Sequence, residues 1–314
     1  MSIPSKSSKI VSIFGGTGFI GRNLVRQLVK EGYRIKVATR SPNLANSIRV
    51  SGNIGQVETS RVNIFDEQSI SDFIKGSNYV INLIGILNET RKYKFNYIHA
   101  GLPKKIARLS REMDVERFIH ISALGSEIGS KSRYLSSKAQ GEEAIFSENS
   151  NSSVIKPSLV FGYDDNFFNQ FASILSLVPI FPLIGYGNTK FQPVYVEDLA
   201  KLIVSHLKDD NKKDVYEIGG NEIYSLKQIL ELIVKITKKK RLLVPIPFSI
   251  SKLFITPLQI MPKPLITYDQ IESLKKDNIL LKTKSDKIGN LGDYEIHPVS
   301  IKNIVPNYLK RFSN

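Results

Sequence analysis

The chain has 314 residues, a formal net charge of +15 and a pI near 9.7, with 41% hydrophobic and 23% charged residues. Those proportions give enough apolar side chains for a sizeable core and exclude wholesale disorder. Cysteine is absent, which excludes disulfides, thiolate catalysis and Cys-ligated zinc and suits a reducing compartment. The basic balance favours phosphate-bearing partners. Lysines are spread along the chain without the aromatic-basic interleaving that stacks bases, so no nucleic acid is expected, and an anionic membrane surface or an acidic partner fits better.

The opening MSIPSKSSK lacks the apolar centre of a signal peptide, and no run reaches the ~18 apolar residues of a spanning helix. The expected location is cytoplasmic, or the mitochondrial matrix in a eukaryote, with at most peripheral attachment to an inner membrane. The stretch Leu242 to Ile266 is apolar but broken by prolines, and around Phe254 and Leu258 it is a candidate docking surface.

In chain order, Ile10 to Phe14 reads as a short buried strand, followed by a helix from Gly18 to Lys30 with Leu24, Val25 and Leu28 on one side. Further strands are predicted over Arg34 to Thr39, Gln56 to Ile64, Asn78 to Ile84, Arg117 to Ser122 and Ser153 to Lys156. Ser41-Pro42 opens a turn after the second of them. Helical patterns cover Gly101 to Met113 and Ser136 to Phe146. This alternation predicts an α/β fold of Rossmann type, a doubly wound parallel sheet with helices on both faces. After Asp164 the pattern weakens. Phe167, Phe168, Phe171 and Ile174 keep a helical period, 179–187 reads as loop, and a short strand at Phe191 leads into a helix near Val196. Val215 to Ile218 is another strand, and Ser225 opens a helix with capping-box spacing to Gln228. The tail beyond Lys284 is polar, weakly patterned and expected to be partly mobile. The reading is a nucleotide-binding domain over 1–160, to which parts of 190–220 return, and a smaller C-terminal α/β domain over 161–314.

Gly15, Gly18 and Gly21 recur every third residue between the first strand and the first helix, the context in which a glycine motif holds a dinucleotide. The first glycine permits the tight turn, the second lets a pyrophosphate approach the backbone, and the third lets the helix pack on its strand. Thr17, Phe19, Ile20 and Arg22 lie in the same turn and helix start, and Ile84 and Gly85 end the fourth strand beside it. The second strand ends VATRSP, so Arg40 stands where an acidic residue would select NAD(H), which favours NADP(H). Asp66 either meets the adenine edge or caps the following helix.

Tyr134 and Lys138 are four apart and share a helix face, so the ammonium would lower the phenol's pKa and fit it to exchange a proton with a carbonyl or alcohol. Together GGTGFIG, YLSSK, KPSLVFG and PVYVEDLA resemble the extended or atypical short-chain dehydrogenase/reductase superfamily, of the NAD-dependent epimerase/dehydratase type. Over nearly the whole chain, VINLIGILNE, RFIHISALGS, SRYLSSKAQGEE, IKPSLVFGYDDNFFNQFA, FQPVYVEDLAK and LITYDQIESLKKDNIL resemble the nucleotide-binding accessory subunits of respiratory complex I (NADH:ubiquinone oxidoreductase) and their bacterial relatives.

The resemblance implies NADP(H) in a largely structural role and other complex I subunits as partners. It places the pyrophosphate on Gly15, Gly18 and Gly21, the 2′-phosphate on Arg40, the nicotinamide ribose on Tyr134 and Lys138, and the nicotinamide face on Pro157 and Ser158. One departure stands out: active members carry a Ser or Thr after the fifth strand, where this chain has Ala123, with Ser122 one place early and Ser126 as the remaining substitute. The alternative function is a free-standing NADP(H)-dependent reductase or epimerase with Tyr134 as acid/base. His99, His120, His206 and His297 have no metal-ligand spacing, so no metal is expected, and His120 reads as structural. Asp164 and Asp165 read as a solvated turn, and Glu197 and Asp198 as charges stabilising a helix N-terminus.

Overall fold

The computed structural model describes residues 9–41, 45–210, 213–255, 267–281 and 287–313. Its elements begin β1 (Ile10–Phe14), α1 (Phe19–Lys30), β2 (Arg34–Thr39), α2 (Asn46–Arg49), β3 (Val57–Arg61), α3 (Glu67–Ile74) and β4 (Tyr79–Asn82). A π-helical turn, Asn96–Gly101, runs into α4 (Leu102–Glu112), followed by β5 (Arg117–Ile121), α5 (Arg133–Glu148) and β6 (Ser152–Pro157). The second half contains β7 (Val160–Phe161), α6 (Phe167–Leu177), β8 (Ile180–Ile184), β9 (Lys190–Phe191), β10 (Val194–Tyr195), α7 (Val196–Lys208) and β11 (Val215–Ile218). It closes with β12 (Tyr224–Ser225), α8 (Leu226–Thr237), β13 (Leu242–Ile246), α9 (Phe248–Ile255), α10 (Tyr268–Ser273), β14 (Ile288–Gly289) and α11 (Ile301–Leu309).

Eight strands form one parallel sheet in the order β14-β11-β6-β5-β4-β1-β2-β3, the Rossmann-type doubly wound arrangement. The alternation of side chains along each strand divides the core. Val11, Ile13, Ile81, Ile119 and Ile155 face α1 and α7, while Phe14, Val80, Phe118 and Val154 face α3, α4 and α5. The chain builds outward from β1 through β2 to β3, then returns to set β4 on the other side of β1, so the crevice between β1 and β4 is the topological switch point where ligands bind in such sheets. A separate apolar cluster joins α6, α8 and α11.

Two expectations fail. Residues 180–184 are not loop but β8, paired in parallel with β13 from Ile180 against Leu242 to Ile184 against Ile246. That strand exists only because a distant segment supplies its hydrogen bonds. The tail is not loose within 287–313: β14 pairs with β11 at the sheet edge, and α11 buries Ile301, Val305, Tyr308 and Leu309. The capping box of Ser225 and Gln228 forms as expected. Pro42, residues 256–266 and the side chains of 252–255 lie outside the described residues, and with them Phe254, Leu258 and most of the candidate docking stretch. No described helix is long and apolar enough to cross a membrane.

Candidate dinucleotide site

Between β1 and α1 the backbone itself shapes the binding surface. Gly15 has φ +81°, and a Cβ there would stand 3.1 Å from the Ile84 nitrogen and the Leu83 carbonyl carbon, so the turn runs hard against the end of β4. Gly18 is the N-cap of α1, donates to the Gly15 carbonyl at 3.0 Å and carries no capping side chain, which leaves the first-turn N–H groups available to an anion. At Gly21 a Cβ would fall 2.5 Å from Gly15 O and Gly16 Cα. The third glycine therefore lets the helix close onto the turn rather than onto the strand. Gly16, absent from the sequence reading, is equally constrained, with Val37 Cγ1 2.8 Å from its Cβ position. A cradle that leaves no room for Cβ atoms, opening onto an uncapped helix N-terminus, fits a pyrophosphate.

Arg22 folds back over this turn, donating to the Thr17 carbonyl at 3.0 Å and pairing with Asp164 at 3.1 Å. Phe19 lies against Gly162, where a Cβ would meet its ring at 3.2 Å, and Ile20 packs on the core. The solvated-turn reading holds for Asp164, which lies on an exposed turn, and is corrected for Asp165. Asp164 is the ion-pair partner of Arg22, and Asp165 is a buried carboxylate accepting from Gly162 N, Phe168 N and the Tyr308 hydroxyl, its pKa raised by burial. Asp198 is buried too; besides standing in the first turn of α7 it accepts from Val299 N at 2.8 Å and ties the tail to that helix.

Arg40 is exposed at the end of β2, its guanidinium 5.8 Å from the Tyr93 ring centre and 3.4 Å from the Tyr93 hydroxyl. Lys92 lies over Phe65 and Tyr93 at 5.3 and 5.8 Å, and Phe65 stacks on Tyr97 at 4.9 Å. Two cations and an aromatic platform therefore meet beyond the end of β2. Lys92 and Tyr93 were not singled out in the sequence, although the run RKYKF carries the signal. Asp66 caps α3, accepting from Gln68 N at 3.1 Å. Of the two roles left open for it, the cap is the one with a bond to show.

Helix α5 starts at Arg133, three residues before the predicted start, because the Ser132 hydroxyl caps it; this brings Tyr134 onto the helix with Lys138. Lys138 is buried, donates to the Ile121 carbonyl at 2.9 Å, and is pushed down to about 8 by burial. Gly85 lies over it, with Lys138 Nζ 3.4 Å from the glycine's Cβ position. Tyr134 moves opposite to expectation: burial, reinforced by the Asp269 carboxylate, pushes its phenol up to about 12. The lysine's ammonium is directed at the Ile121 carbonyl.

His99 is the neighbour that sequence reasoning missed, since it lies on the π-helical turn and at no recognisable spacing from the pair. Its ring stands 5.3 Å from Tyr134, edge to face, and 5.2 Å from Phe95, stacked. The Ile86 N–H donates to its Nε2, so Nδ1 carries the proton and donates to Ser137 Oγ at 2.9 Å. Burial, with Lys138 nearby, holds this imidazole down to about 3. Close contact is possible because position 141 is glycine: a Cβ there would lie 1.8 Å from the His99 carbonyl oxygen. His120 Nδ1 pairs with Asn82 at 3.1 Å in the sheet interior.

Ser122 and Ser126 both donate to Glu142, which also pairs with Lys156 at 3.1 Å. Both hydroxyls are thus directed at Glu142. Glu142, one further turn along the face of Tyr134 and Lys138, was not anticipated. Pro157 accepts from Leu124 N at the end of β6, and the Ser158 hydroxyl donates to Asn278.

Comparison with known proteins places this geometry. Residues 11–219 match the NAD dependent epimerase/dehydratase family. The chain is 33% identical to NADH dehydrogenase (ubiquinone) 1 alpha subcomplex subunit 9, mitochondrial, of Arabidopsis thaliana, over 98% of its own length and 79% of that protein's. It is 34% identical to the Mus musculus protein of the same name, over 88% and 74% of the two chains. Among solved structures, UDP-glucose 4-epimerase from Thermotoga maritima superposes with a TM-score of 0.68 at 18% identity, covering 97% of this chain and 100% of that one, which shows the shared fold. The chain belongs to the NAD dependent epimerase/dehydratase family, with a glycine cradle built for a nicotinamide dinucleotide, and within it to the group of these subunit 9 proteins.

Proposed function

We propose that this protein is an NADP(H)-binding accessory or assembly subunit of respiratory complex I, peripheral to the membrane, in which the nucleotide serves mainly to hold the fold. The observation that carries the reading is the 33–34% identity to complex I subunits over 88–98% of the chain, joined to a site whose lysine donates to the Ile121 carbonyl and whose Ser122 and Ser126 donate to Glu142. A nicotinamide dinucleotide supplies hydride-transfer chemistry when bound. The chain's own residues are suited to binding more than to proton movement. Gly15, Thr17, Gly18, Phe19, Ile20, Gly21 and Arg22 shape the pyrophosphate cradle, Ile84 and Gly85 border it, and Tyr134, Lys138, Pro157 and Ser158 face the nicotinamide side. A ligand held only by the folded state stabilises that state by mass action.

NADP(H) in preference to NAD(H) is supported by Arg40, with Lys92 beside it and no carboxylate at the end of β2. Arg40→Asp is expected to weaken NADPH by about 100-fold and NADH far less, read by titration of the purified protein; equal losses would remove the preference. Gentle solubilisation of source membranes should bring the chain down with complex I subunits, and its absence from the purified complex would sink the assembly reading. The reductase alternative makes the opposite forecast for Tyr134→Phe: carbonyl-dependent oxidation of bound NADPH, abolished without loss of binding.

A further inference from the structure

We propose that residues 267–281 are a built-in occupant of the substrate side of the cleft, closing the nicotinamide end against small molecules. Segment and cleft are joined at the start of α5, at Leu124 after β5 and at Ser158 after β6. Asp269 accepts from the Ser132 hydroxyl at 2.9 Å, from Arg133 N at 2.5 Å and from Tyr134 N at 3.1 Å. A carboxylate thus fills the N-terminus of α5, the position that would otherwise receive an anionic ligand beside Tyr134. Beyond the strand ends, Asn278 donates to the Leu124 carbonyl at 2.8 Å, next to Ala123, and receives the Ser158 hydroxyl on its carbonyl and side-chain oxygens at 2.9 and 2.7 Å.

The far side of the segment is fixed just as firmly. Asn278 N donates to the Lys190 carbonyl at 2.8 Å, Gln192 N to the Asn278 carbonyl at 3.1 Å, and Leu280 N to Gln192 Oε1 at 3.0 Å. Ile271 is buried against Ile184 and Ile246, and α10 opens with a complete capping box of Thr267 and Gln270. A substrate approaching Tyr134 between the end of β5 and the end of β6 has to displace this strap. The missing hydroxyl at Ala123 and the occupied cleft are then two expressions of one property: the site keeps a nucleotide and admits no reactant. The inference rests on the nucleotide reading for its consequence, and on the protein contacts alone for its geometry.

The test uses the full chain, with NADPH as probe, against a Asp269→Asn/Asn278→Ser double variant. In the wild type the Arg133 and Tyr134 amides should exchange with deuterium about tenfold or more slowly than in the variant. Acrylamide quenching of bound NADPH fluorescence should rise severalfold in the variant. Amides exchanging at unprotected rates in the wild type, or quenching that does not change in the variant, would overturn the proposal. Asp269→Asn alone, which keeps the side-chain shape, gives the same readouts if the double variant does not fold. Failure of the wild type to bind NADPH would overturn the nucleotide reading instead, and the amide protection still reports separately on whether the strap is seated.

Discussion

On the side proposed for the phosphates the surface is backbone from one continuous run, Gly15 to Gly21, with no side chain capping the helix N-terminus. The side proposed for the nicotinamide is assembled from the end of β5, the π-helical turn, α5 and the end of β6, with residues 267–281 bonded to it, and many of its polar groups bond to one another. The difference teaches what each half is for. An uncapped helix N-terminus offers donors to an anion, whereas groups whose donors and acceptors are internally matched contribute stability and shape.

The comparison can be broken most sharply at Gly141. Since the nearest atom to an added Cβ is a backbone oxygen, Gly141→Ala should cost about 3 kcal/mol or more in urea unfolding. A loss below about 1 kcal/mol would mean that α5 slides freely on the π-helical turn and that the nicotinamide side is not rigid. The next effect in size is a pH dependence at His99. Its folded pKa, about 3, lies below the unfolded value of 6.5, so the unfolded chain takes up the proton first and stability falls as pH drops through that window. The loss at pH 5 should be about 2 kcal/mol relative to neutral pH, and His99→Gln should remove that part of the slope. An unchanged slope in the variant would mean that His99 is protonated within the fold. The smallest effect is at Asp66, where Asp66→Ala should cost about 1 kcal/mol from the lost cap and leave NADPH affinity unaltered. A fall in affinity would give its carboxylate a second role at the adenosine.

How much of this was legible depends on how local each feature is. The glycine turn could be read because strand, turn and helix are consecutive, and each glycine answers to a contact within that unit or with the adjacent end of β4. The pairing of Tyr134 with Lys138 was legible as a helix spacing, but the direction of the tyrosine's pKa was not, because burial and the carboxylate of Asp269 belong to a segment far along the chain. The places of His99 and Glu142 were not legible for the same reason, since each acquires its neighbours through packing rather than through a motif, whereas Lys92 lies in the run RKYKF, a local signal that went unread. The strand at 180–184 and the ordered tail were misread because their stabilising partners, β13 and β11, are remote in sequence.

By itself the sequence determined a Rossmann-type sheet, a dinucleotide cradle at its first turn and a likeness to complex I subunits, because hydrophobic period and turn chemistry act over short distances. Only the tertiary structure decided that Lys138 serves the Ile121 carbonyl, that Ser122 and Ser126 serve Glu142, and that Asp269 and Asn278 bond to the Tyr134 amide and the Leu124 carbonyl. Those are choices among hydrogen-bond partners. A buried donor takes whichever acceptor the fold brings within about 3 Å, and that is settled by packing of the whole chain.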